Sequence, residues 1–179
     1  MLRASTVSLL FMTVASVAWA QAQPKSLGAG GEFGAWSAWE FGEGNGKVCY
    51  VTAVPAKSQA SNPNAKRGDI RVTVSHRPAT KARDEISFVA GYPLKADKAV
   101  AAAVDKAKTF EFSRRAPNAA EMIWTKDPET DKAMVAAMRT GKELVLNGTS
   151  QRGTTTTDSF ALEGFGKALD AANKACGLR

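Results

Sequence analysis

The sequence predicts an all-β domain of about eight or nine short antiparallel strands, with one short inserted helix and a C-terminal helix. Three observations lead there. Short segments of strand composition recur between turn signals. The clearest of them alternate apolar and polar residues at the two-residue period of a half-buried strand. Only two stretches carry the spacing of an amphipathic helix. Such a series of strands suits a sandwich or a barrel.

Met1, Leu2 and Arg3 supply one positive charge, Val7 to Ala18 is uncharged and apolar, and Ala18-Trp19-Ala20 offers small residues at a cleavage point. This is the order of parts in a secretory signal peptide, residues 1–20, cut after Ala20. Ala20-Gln21-Ala22 is a second small-x-small site, which would move the cut to Ala22. The apolar run falls short of the roughly 20 residues that cross a bilayer, so the mature chain is expected not to span a membrane. The expected location is the periplasm or cell envelope, or the secreted fraction. Residues 21–32, rich in Gly, Gln and Ala, read as a flexible lead-in to one domain over residues 33–179.

The expected strands are Trp36–Phe41, Lys47–Val54, Ile70–Arg77, Glu85–Gly91, Thr109–Arg114, Glu121–Trp124, Glu143–Thr149 and Thr154–Phe160. Ile70, Val72 and Val74 alternate with Arg71, Thr73 and Ser75, which sets one face to the core and the other to water. Gly42 to Gly46 supplies the positive-φ residues of a hairpin. Lys57–Arg67, with Asn62-Pro63-Asn64, reads as a long exposed loop. Ala99–Lys106 is ambiguous, because its alanines favour helix while Val100, Ala102 and Val104 fit a strand. The inserted helix follows the cap Asp127-Pro128, buries Met134, Val135 and Met138, and ends at Gly141. The last helix carries Phe165, Leu169, Ala172 and Cys176 on one stripe.

Cys49 and Cys176 are the two cysteines, and in an exported chain an even count favours oxidation. They are expected to form a structural disulfide that ties the last helix to an early strand. Cys-x-x-Cys spacing, the mark of a redox-active pair, is absent.

The formal charge is +7, and +6 once Arg3 leaves with the signal peptide. Lys66, Arg67, Arg71, Arg77, Lys81 and Arg83 crowd one stretch and could form an anion-binding patch, with Arg114, Arg115, Arg139 and Lys142 able to join it. Aromatic interleaving of the kind that binds single-stranded nucleic acid is missing, so no specific nucleic-acid role is expected. Arg67-Gly68-Asp69 matches the integrin tripeptide but is read as a turn into Ile70. His76, the one histidine, falls at the end of the apolar face of its strand, next to Arg77-Pro78, and is read as a rim residue. With a single histidine and both cysteines oxidised, neither a catalytic triad nor a metal or cofactor site is expected.

Phe33-Gly34-Ala35-Trp36, Lys47-Val48-Cys49-Tyr50, Val74-Ser75-His76-Arg77-Pro78 and the run Glu85 to Leu94 resemble segments of the invasion-associated locus B proteins of alphaproteobacteria. Met138-Arg139-Thr140-Gly141, Gly148 to Gly153, Thr157-Asp158-Ser159-Phe160, Gly164-Phe165, Ala168-Leu169-Asp170 and Cys176 continue the likeness over nearly the whole mature chain. The resemblance implies a β-sandwich-like fold, a strand at Ala99 and a home in the periplasm or outer envelope. It brings no catalytic residues with it. The resulting expectation is a non-catalytic envelope protein that binds an anionic envelope component or a host-surface molecule. A periplasmic hydrolase of cell wall or glycan, or a ligand-free structural or stress protein, is the alternative. The hydrolase would need a carboxylate pair, for which Asp84 and Glu85 are poorly placed as strand neighbours, while a pocket bringing Asp158 or Glu163 close to another acid would favour it.

Overall fold

The computed structural model describes residues 23–115 and 119–178. The expected signal peptide, with Ala20 and the cut sites, lies outside the described residues. Among these residues the chain forms twelve strands: β1 (Lys25–Ser26), β2 (Glu32–Phe33), β3 (Trp36–Phe41), β4 (Val48–Ala53), β5 (Lys57–Ala60), β6 (Arg71–Arg77), β7 (Ala82–Val89), β8 (Val100–Val104), β9 (Lys108–Ser113), β10 (Met122–Thr125), β11 (Glu143–Thr149) and β12 (Thr155–Ala161). Two helices complete it, α1 (Pro128–Thr140) between β10 and β11 and α2 (Phe165–Ala175) after β12.

All the strands join one antiparallel sheet in the order β1-β3-β4-β6-β7-β10-β9-β8-β11-β12-β5, with β2 paired to β3. The sheet folds over on itself. Phe88 of β7 meets Phe160 of β12 edge to face at 6.3 Å, although four strands separate them in the sheet order. The indole N–H of Trp36 on β3 donates to Ala161 O at the end of β12, 2.9 Å away. The enclosed face is the core that the alternation predicts: Val51 opposes Val74, which opposes Ile86, and all three are fully buried. The period of two that strands such as β4, β8 and β11 keep is what lets one face close while the other stays wet.

The nine segments with strand signals are β3, β4 and β6 to β12. The additional strands β1, β2 and β5 are too short or too polar to show a period. Where composition suggests a flexible lead-in over residues 21–32, Lys25–Ser26 and Glu32–Phe33 pair with β3. Where it suggests a long exposed loop over Lys57–Arg67, the first four residues are the edge strand β5 along β12. The alanine-rich stretch is the strand β8, with Val100, Ala102 and Val104 buried, so tertiary burial overrides the helical preference of alanine. Its hairpin to β9 turns through Asp105 and Lys106, both at positive φ. The Asp105 carboxylate accepts the backbone N–H of Lys142 and Glu143, and these bonds hold it below the usual carboxylate range.

Asp127 caps α1 by accepting from Thr130 N at 2.8 Å, Pro128 occupies the first turn, and Met134, Val135 and Met138 are buried. Gly164, at φ 85°, opens α2 where a side chain would meet Phe33 O at 1.7 Å. Phe165, Leu169 and Ala172 then pack onto β3 and β4, and Phe165 stacks edge-on with Trp36 at 4.7 Å. Cys176 ends the helix and forms the disulfide with Cys49, with Cα atoms 5.9 Å apart and a sequence separation of 127. By chain entropy alone such a closure stabilises the fold by about 5 kcal/mol.

Candidate functional site

The six basic residues of the expected patch do not form one face. Arg71 and Arg77 lie at opposite ends of β6, roughly 20 Å apart at the rise of an extended strand. Arg71 pairs with Asp69 at 3.0 Å. Arg77 shares the Glu85 carboxylate with Arg115. Lys81 and Arg83 belong to the β6–β7 hairpin end with Arg77, and Arg83 lies 3.5 Å from Asp84. Arg139 pairs with Asp170 on α2. Arg114 donates to Leu94 O. Only Lys66 and Arg67 of the six reach the cleft described next.

Arg67 is the centre of that cleft's floor, and it is not a free cation. Its Nε and Nη2 donate to Ala90 O at 3.2 and 2.7 Å. Its Nη1 and Nη2 donate to the two carboxylate oxygens of Asp158, each at 2.7 Å, and Nη1 also donates to Ser58 Oγ at 2.7 Å. All five guanidinium protons are thus used. Ser58 Oγ adds a 2.7 Å bond to Asp158, and the guanidinium lies over the Tyr92 ring. Asp158 is fully buried because it occupies the inner face of β12 between Thr156 and Phe160. A carboxylate there requires a cation brought to it. Arg67 meets that requirement, so the Arg67-Gly68-Asp69 tripeptide is a clasp into the domain and not a displayed recognition loop.

Next to the clasp two backbones nearly touch. Gly68 N donates to Gly91 O at 2.8 Å, and Gly91, at φ 73°, has room for no side chain because a Cβ would stand 2.6 Å from Gly68 O. The crossing segment 61–70, the turn after β7 and the β11–β12 turn together enclose about 610 Å³. Asn62, Asn64 and Lys66 line one side, Ser150, Gln151 and Arg152 another. Tyr92 and Thr156 close the bottom, their hydroxyls 2.6 Å apart. Burial pushes the Tyr92 phenol up, with the Thr156 bond opposing.

His76 is not at a rim. It takes an inner-face position opposite Cys49, is fully buried, and accepts Asp84 N–H on Nδ1 at 3.1 Å. Its Nε2 has no partner among the described residues. Burial lowers its pKa, against the attraction of Asp84. Asp131 is buried too: it accepts from Ile86 N at 2.8 Å and from the Thr125 hydroxyl, which docks α1 on β7 and β10. Burial raises its pKa. Asp84 and Glu85 are adjacent on β7, and Glu85 is held between its two arginines. Among the described residues no three His, Cys, Asp or Glu side chains gather as metal ligands. No helix among them is long and apolar enough to cross a membrane.

Tyr92, Ser150 and Arg152 are cleft residues that sequence reasoning did not single out, whereas Asp158, named there only as a candidate acid for a hydrolase, lies buried beneath the cleft and paired with Arg67. The one usable signal was a carboxylate at an apolar-face position of β12. A model of the family described as Invasion associated locus B (IalB) protein matches residues 36–173, a span that holds the whole cleft, both helix-packing layers and Cys49. No curated protein and no solved structure matches the chain.

Proposed function

The chain belongs to the invasion associated locus B (IalB) family, and on that premise we propose that it is an exported, non-catalytic protein of the cell envelope that acts by binding. Its ligand is a component of the envelope or of a host surface, held in the cleft above Arg67. The cleft is the observation that carries this reading. Its volume of about 610 Å³ lies within the range of small-ligand sites. Its floor is fixed by a bidentate ion pair and by two glycine backbones in contact, which is the preorganisation that binding rewards.

The placement of ionisable groups favours binding over hydrolysis. A glycosidic hydrolase works with two carboxyl groups flanking the bond it cuts. Here Asp158 is neutralised by Arg67, and Glu121 is the one unclasped carboxylate lining the cleft among the described residues. His76 is sealed in the core beside the disulfide and has no path to a substrate.

The test is calorimetric titration of the mature, oxidised protein with soluble glycan released from the native envelope. The glycan's mass profile is recorded before and after. Saturable heat with unchanged masses supports the reading, whereas new reducing ends or shortened chains would make the protein an enzyme.

A further inference from the structure

Resting on the binding reading of the cleft, we propose that its ligand is an acidic saccharide whose oxyanion, a carboxylate or a phosphate, is held by the cleft's surplus of hydrogen-bond donors. The argument is an accounting of protons. Asn62 Oδ1 already accepts from Asn64 N at 3.0 Å, which leaves the Asn62 amide N–H groups to donate outward. Ser150 Oγ accepts from Thr154 N at 3.1 Å, which leaves its hydroxyl proton to donate. Tyr92 and Thr156 share one bond between two hydroxyls, so whichever donates, the other keeps a proton with no acceptor among the described residues. Ser150, Tyr92 and Thr156 are each more than nine-tenths buried. A buried donor without an acceptor is costly, and an incoming oxygen removes that cost.

The rim agrees with the floor. Lys66 and Arg152 line the cleft, are exposed, and form no ion pair among the described residues. Arg67, in contrast, has no proton to spare and acts only as scaffold. Acceptors are correspondingly few: Asp158 is consumed by Arg67 and Ser58. Glu121 is the exception, and together with the exposed amides of Asn64 and Gln151 it suits the hydroxyl groups of a sugar. The cleft is also too large for an isolated small anion, which argues for a carrier around the acidic group.

The experiment uses the full mature chain, isotope-labelled and with its disulfide intact. The probes are trigalacturonate, glucose 6-phosphate and neutral maltotriose at millimolar concentration, and the comparison protein is the exposed double variant K66Q/R152Q. The expected result is amide shifts at residues 62–66 and 150–154 with one or both acidic probes, weakening as salt rises and weaker by about tenfold in the double variant. The tighter of the two acidic probes tells carboxylate from phosphate. Maltotriose binding the cleft as well as the acids do, or acidic probes binding equally to wild type and double variant, would overturn the oxyanion inference and leave the binding cleft standing. If no acidic probe reaches the cleft, the oxyanion inference falls, and if the envelope glycan of the preceding test does not bind either, the binding reading falls with it.

Discussion

Arg67 and Asp158, 91 residues apart in the chain, meet through two parallel 2.7 Å hydrogen bonds beneath the cleft. The pair is almost sealed from water, with side-chain exposures of 10% and 1%. This one contact ties the crossing segment before β6 to β12, and through Ala90 O it reaches the end of β7.

Removing one partner strands the other. Arg67→Met leaves Asp158 buried without a cation, and the fold should lose about 3–5 kcal/mol. A double replacement, Arg67→Met with Asp158→Leu, should recover much of that loss, because an apolar pair of similar volume carries no desolvation cost. Urea denaturation of the oxidised proteins measures both.

The disulfide makes a separate contribution. Reduction of Cys49–Cys176 frees the end of α2 from β4 and should cost about 2–5 kcal/mol of stability. The expected readout is a lower urea midpoint in the presence of a reductant. An unchanged midpoint would mean that the packing of Phe165, Leu169 and Ala172 alone holds the helix.

His76 gives the fold a pH dependence with a definite sign. Its folded pKa is lowered by burial, so as pH falls the unfolded chain takes up the proton first. The term is silent above the unfolded value of about 6.5, and stability is lost as pH falls from there toward the folded pKa. His76→Asn keeps an acceptor for Asp84 N–H but does not titrate. Its urea midpoint should therefore vary less between neutral pH and pH 5 than that of the wild type.

Gly91 is a test of cleft geometry. Gly91→Ala places a Cβ against Gly68 O in a left-handed conformation, so the substitution should destabilise the domain by about 1–2 kcal/mol or more. Thermal denaturation reads the effect. The same substitution at Gly153, also at positive φ but with open space around it, should cost only the conformational part.

Much of the fold was legible because burial imposes a period. Val72 and Val74, or Phe110 and Phe112, could be placed on a face from their spacing, and each is buried as expected. The edges were not legible: Lys25–Ser26 and Glu32–Phe33 are too short to show alternation, and Lys57–Ala60 is mostly exposed, so its pairing left no trace in composition. The cleft was legible only in part. Lys66 and Arg67 were singled out for their charge, but whether a cation is free or clasped depends on a partner distant in sequence. Nothing local to Arg67 says that Asp158 waits for it. The face of His76 was legible from the alternation but its depth was not, since the strand end suggests a rim while pairing opposite Cys49 buries it fully.

The central claim is that the chain holds an envelope or host-surface ligand in the cleft above Arg67. The most direct test is to map backbone amide shifts of the labelled, oxidised protein during titration with native envelope glycan. The account predicts saturable shifts concentrated at residues 62–67, 91–93 and 150–156. Saturable shifts confined to the β6–β7 hairpin around Lys81 and Arg83, with the cleft unmoved, would contradict it.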